Sequence, residues 1–156
     1  MKRHLKIAAC AALPLCVALS SQAQAQPQPR PEQAIKYRQS AMTLMGAHFG
    51  RLNGMAQGRI PFDATVAADN AHLVALLAKL PFNSFGPGTD KGLPNRAKPE
   101  VWSEAGKFKE AVEAFQAEAS KLDAAGKSGD LAQIKAAVGA VGKTCKACHD
   151  AFQSER

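Results

Sequence analysis

The chain has 156 residues, with 20 Lys plus Arg against 13 Asp plus Glu, a net charge of +7 and a pI near 9.4. The length suits one domain. At 46% apolar but only 6% aromatic residues, the composition speaks against pervasive disorder and against a β-sandwich or barrel, which draw on β-branched and aromatic side chains. Lys2, Arg3 and Lys6 precede an apolar run, Ile7 to Leu19, and a small-x-small pattern, Ala23-Gln24-Ala25, follows it. This is the layout of a secretory signal peptide cut after Ala25. The run falls short of the roughly 20 apolar residues that a membrane-spanning helix needs, and no other stretch is apolar enough to span. The expected organisation is a removed leader, residues 1–25, and one exported domain, 26–156. The leader takes Cys10 and Cys16 with it, so the mature chain keeps Cys145 and Cys148 and a net charge of +4. That mild, interspersed excess gives nucleic-acid binding no footing.

From Pro31 onward, Ile35, Met42, Phe49 and Ala56 recur every seven residues, with Met45 and Leu52 between them. The pattern predicts an amphipathic helix, opened by Pro31 and Glu32. Arg38 sits on this stripe, where an apolar residue is expected. Asp63 is a candidate N-cap for a second helix with Val66, Leu73 and Leu80 on its stripe, Asn70 and Leu77 between, and Pro81 as its stop. Residues 81–98, rich in Gly and Pro, read as a long loop, a feature that is often functional. Pro99 and Glu100 open a third helix whose face is Val101, Phe108, Phe115 and Leu122, interleaved with Ala105, Val112 and Ala119. A turn over Gly126–Gly129 leads to Asp130, the N-cap of a fourth helix bearing Leu131, Val138, Cys145 and Phe152, with Ile134, Val141 and Cys148 between. Four such seams predict an all-α fold, an antiparallel up-down four-helix bundle. Met45 reads as core. His48 and His72 fall outside the main stripes and are expected at the boundary or surface.

The fourth seam ends in Cys145-Lys146-Ala147-Cys148-His149. C-x-x-C-H is the attachment motif of c-type haem. On a helix the two thiols lie on one face about a turn apart, each able to add to a haem vinyl group, and His149 follows where its imidazole can ligate the iron. Covalent attachment would also account for a cysteine pair in an exported chain. Other readings stay open. A zinc site would have to recruit His48, His72 or carboxylates. A redox dithiol of the thioredoxin kind would need a strand before the helix, and a disulfide is strained at this spacing.

Over residues 30–156 the chain resembles the cytochrome c′ family, class II c-type cytochromes built on a four-helix bundle. The marks are Lys36-Tyr37-Arg38-Gln39-Ser40-Ala41-Met42, Phe85-Gly86-Pro87-Gly88-Thr89, Pro99-Glu100 with Trp102, and Cys145-Lys146-Ala147-Cys148-His149-Asp150. The resemblance implies one haem c per chain, thioether-linked through Cys145 and Cys148, with His149 as the proximal iron ligand. It implies propionate contacts for Arg38 and Gln39, places Arg96 at the haem edge, and turns Met42 to the distal side. Phe85, Phe108 and Phe115 would complete an apolar distal wall with Met42. Relatives with an apolar residue at this position keep the iron five-coordinate, and low-spin relatives use a methionine there, so the residue type leaves the coordination open. The implied function is periplasmic: binding nitric oxide or carbon monoxide at a five-coordinate, His-ligated iron, with single-electron transfer. The alternative is a low-spin electron-transfer cytochrome with Met42 as the sixth ligand. No distal acid or base is visible, so the chain is not read as an enzyme. A homodimer through the first two helices, small gas ligands and an unidentified redox partner are the expected partners. In one respect the chain departs from the family, which carries Lys or Arg four residues after the proximal His: here that residue is Gln153.

Overall fold

Proline lacks the N–H that a first helical turn leaves unbonded, and its ring presets φ. Helix α1 starts accordingly at Pro31 and runs to Ala56. The computed structural model describes residues 30–155, and the expected leader, residues 1–25, lies outside the described residues. Helix α2 spans Ala64–Leu77, capped by Asp63, whose Oδ1 accepts from the Val66 N–H at 2.9 Å. The loop after it contains a single 3-10 turn at Phe82–Ser84. A short α3, Glu100–Ser103, precedes α4, Ala105–Ser128, and α5, Leu131–Phe152. Between α4 and α5, Gly129 takes φ 68°, a left-handed geometry that glycine adopts without a Cβ penalty. Asp130 then caps α5, accepting from Ala132 and Gln133 at 2.7 and 3.1 Å.

The four long helices close a ring: α1 packs on α2 and α5, and α4 packs on the same two. This is the four-helix bundle that the seams predicted. Leu52, Ala67, Ala71, Val74, Ala119, Leu122, Ile134 and Val141 are sealed from solvent at its centre. Met45 packs in this core, as expected. Among the described residues no helix is long and apolar enough to cross a membrane, and the only β-type pairing is an isolated antiparallel bridge between Ala97 and Gln153.

Three local expectations need correction. The stripe of Val66, Leu73 and Leu80 is not the buried face of the second helix: Leu73 is 37% exposed, Leu80 lies beyond the helix end at Leu77 and is 41% exposed, and the buried face is Ala67, Asn70, Ala71 and Val74. The inward face is the small one because α4 comes close: a Cβ added at Gly126 would lie 2.7 Å from the Ala71 Cβ. For the same reason Gly126 is not part of a turn but a buried residue within α4. Finally, the third helix is broken at Glu104 (φ −115°, ψ 44°), so α3 and α4 are separate and Ala105 is exposed rather than interleaved in the core. Gly106 weakens the helix at this point, and the break lets α3 lay Trp102 against the loop, where its Nε1–H donates to the Gly86 carbonyl at 3.2 Å.

Candidate functional site

Beyond the aliphatic core, toward the start of α1 and the end of α5, the bundle opens into a cavity of about 820 Å³, a volume typical of small-molecule sites. Helix α1 contributes Arg38, Gln39 and Met42, the loop Phe85 and Arg96, α4 Phe108 and Phe115, and α5 Cys145, Cys148 and His149. All ten residues singled out from the sequence line this one space.

The spacing on α5 puts Cys145 and Cys148 one turn apart as free, half-buried thiols. Burial pushes both thiols up, and for Cys145 the neighbouring Cys148 adds to the rise. A thiol-exchange pair needs the opposite shift, toward thiolate. His149, the next residue, is pushed below the usual imidazole value by burial, helped by the Arg96 cation and opposed by Asp150. The neutral ring favoured there is the metal-binding form. Among the described residues no three His, Cys, Asp or Glu side chains cluster as a metal site of their own.

Aromatic rings build the walls. Phe85 meets Phe108 at 5.1 Å between centroids, Phe108 meets Phe152 at 5.3 Å, and Phe82 lies 6.2 and 6.1 Å from Phe108 and Phe115, all edge to face, the arrangement that ring quadrupoles prefer. Phe49, Phe82 and Phe152 line the cavity without having been named as site residues. Phe49 and Phe152 were visible as seam positions, whereas Phe82 follows a proline and carries no periodic signal. Among the described residues no Asp or Glu lines the space, and His149 is the one histidine that does.

The polar residues gather with the loop. Gln39 Nε2 donates to the Pro94 carbonyl at 3.0 Å. Arg38 is buried, with 3% of its surface exposed. Its Nη1 donates to the Ser84 carbonyl and the Thr89 hydroxyl, both at 3.0 Å, and its Nη2 to the Thr89 carbonyl at 2.8 Å. The guanidinium also lies over the Phe85 ring, 4.3 Å from its centroid. Burial lowers its pKa, and Asp90 works against that shift. Thr89 ends the Phe85–Thr89 motif, and nothing in its spacing marks it as a partner of Arg38. Arg96 donates through Nε to the Ser154 carbonyl at 2.9 Å, and backbone bonds from Lys98 to Phe152 and from Ser154 to Arg96, each 2.9 Å, strap the loop to the end of α5. Gln153 lies in that strap and lines the cavity. His48 and His72 are remote, as expected: His48 pairs with Asn70 at 2.9 Å and His72 with Asp123 at 3.2 Å.

This donor set suits a haem: two unionised thiols on one helix face, a neutral-leaning imidazole beside them, flat aromatic walls and cationic or amide groups toward the loop. Comparison with known proteins points the same way. A family model described as Cytochrome C' matches residues 33–153. A cytochrome c′ from Rubrivivax gelatinosus is 62% identical over 122 residues, covering 78% of this chain and 95% of the relative. The crystal structure of cytochrome c′ from that organism superposes with a TM-score of 0.80 at 60% identity, covering 83% of this chain and all of the other. A nitric oxide complex of a leucine-to-alanine mutant of cytochrome c′ from Alcaligenes xylosoxidans superposes with a TM-score of 0.77 at 45% identity, covering 83% of this chain and all of the other.

Proposed function

The chain belongs to the cytochrome c′ family, and on that premise we propose that it is an exported haem protein that binds small gases, nitric oxide and carbon monoxide, and passes single electrons. Haem c, bound in this cavity, supplies an iron that takes a gas molecule or an electron. Cys145 and Cys148 hold the group through thioethers, and His149 gives its neutral ring nitrogen to the iron. Phe85, Phe108 and Phe115 keep water out. Gln39, Arg96 and the two guanidinium N–H groups that Arg38 has left uncommitted, out of five, are the partners for the carboxylates of the group. A cleavable leader, residues 1–25, takes the chain to the periplasm. The outward face of α1 and α2, with Tyr37, Leu44, Leu73 and Leu76 exposed and Leu80 exposed just past the end of α2, is the contact of a homodimer. The redox partner is a separate protein, which the small net charge does not specify.

One observation carries this reading: the C-x-x-C-H residues and the aromatic wall line one cavity to which the described residues bring no acid and no second histidine. Turnover on haem calls for a proton donor or acceptor near the iron, whereas a neutral gas needs only room. This favours a binding and carrier role over an enzyme. Met42 lines the same cavity and supports one competing arrangement, a Met42-ligated, low-spin electron carrier. Carbon monoxide added to the ferrous protein separates the two. The gas-binding reading expects a shifted Soret band in the wild type. A spectrum that ignores the gas in the wild type and responds only in Met42→Leu would establish Met42 as the ligand.

A further inference from the structure

Arg38, Asn70 and Thr89 are the buried polar residues among those described, and Arg38 is the one that carries a charge. A guanidinium withdrawn from water is tolerated only when its N–H groups find acceptors. Arg38 finds three, all in one turn of the loop: the Ser84 carbonyl and both oxygens of Thr89. Thr89 is doubly engaged, since its hydroxyl accepts from Arg38 and donates to the Gly86 carbonyl at 2.8 Å. The Trp102 indole N–H donates to that same carbonyl. The turn from Phe85 to Thr89 is thus tied to α1 by one side chain and to α3 by another. Phe85 lies under the guanidinium on one contact and against Phe108 on the other, and it is part of the cavity wall.

We propose that Thr89 and Arg38 form a positioning latch that fixes the Phe85 ring in the cavity wall and so restrains the entry of a gas ligand. The inference rests on the gas-binding reading. Arg38 reaches these acceptors only with the turn closed, and among the described residues no other cationic side chain donates to the turn, so each orders the other. Thr89 is the discriminating member: valine matches its shape but can neither accept from Nη1 nor donate to Gly86, whereas serine can do both. Lysine in place of Arg38 would lose the planar stack on Phe85 along with the forked donors.

The test uses the haem-loaded protein and two readouts: the carbon monoxide association rate after flash photolysis, and the rate of tryptic cleavage after Lys91 in the loop. Thr89→Val is expected to raise the association rate about fivefold, within the range over which association rates vary among variants of one site, and to speed cleavage. Thr89→Ser should restore both to within about twofold of wild type. Phe85→Leu should speed association alone, and adding Thr89→Val to it should change association no further, because both act through one ring. Trp102→Phe, which removes one bond to the same turn, should move both readouts in the same direction by less. It stands in if Thr89→Val fails to load haem. Faster cleavage with an unchanged association rate, no change in either readout, or additive effects with Phe85→Leu would each overturn the latch. A wild-type ferrous spectrum that ignores carbon monoxide contradicts the gas-binding reading instead. Cleavage alone then decides the latch: acceleration in Thr89→Val supports it and none overturns it.

Discussion

Gly126 and Gly139 both sit inside long helices, yet alanine should act oppositely at the two. Removing a glycine from a helix interior gains about 0.5–1 kcal/mol. At Gly139 nothing lies within 4 Å of the added Cβ, so Gly139→Ala should raise Tm. At Gly126 the new Cβ would meet the Ala71 Cβ at 2.7 Å and the Ala68 Cα at 3.2 Å. Pushing two backbones apart costs about 1–3 kcal/mol and outweighs the helix gain, so Gly126→Ala should lower Tm. Thermal melts of the two haem-loaded variants check both signs. The difference was not legible in the sequence, where Gly126 looked like a turn. A glycine that ends a helix and one that admits a neighbouring helix leave the same letter. Arg38 was half legible: its place on an apolar stripe demanded a partner, and loop oxygens turned out to take three of its donors.

At the scale of elements, caps and stripe positions of β-branched or aromatic residues were readable, and the facing of an alanine-rich helix was not. Asp63 and Asp130 cap where they were expected. In α2, by contrast, Leu73 suggested the wrong face, because the hydrophobic pattern records side-chain size and this interface selects for smallness. The same α2–α4 contact is bridged at the surface by Asp123, which accepts from Lys127 at 2.7 Å and pairs with His72. Lys127 chiefly, and His72 with it, hold this carboxyl below its usual value. A folded-state pKa below the unfolded one means that the carboxylate contributes stability above its ordinary value of 3.8 and that this is lost as pH falls through the folded value. Asp123→Asn should therefore lower Tm near neutral pH by an amount worth about 0.5 kcal/mol. Its melting curve should converge with that of the wild type as the pH drops toward 3.

For the whole molecule, the bundle and the cavity that its motif lines were legible because one motif and four seams agree on the same end of the fold. The seams predict where a core lies, and C-x-x-C-H marks where the core must make room. What covers the outside is written less plainly: Leu73 and Leu80 read as core and are in fact exposed, whereas Leu77 packs against the core. Leu44 and Leu76, 52% and 48% exposed on α1 and α2, should sit in the homodimer contact proposed above. Leu76→Glu should yield a monomer by analytical ultracentrifugation while leaving the visible spectrum unchanged. The haem proposed to be held covalently by Cys145 and Cys148 in an exported chain is checked by the intact mass of the purified, denatured protein. The expected species is a chain beginning at Gln26 that carries one haem through denaturation. A polypeptide of bare mass with two free thiols, its haem lost on unfolding or never present, would contradict it.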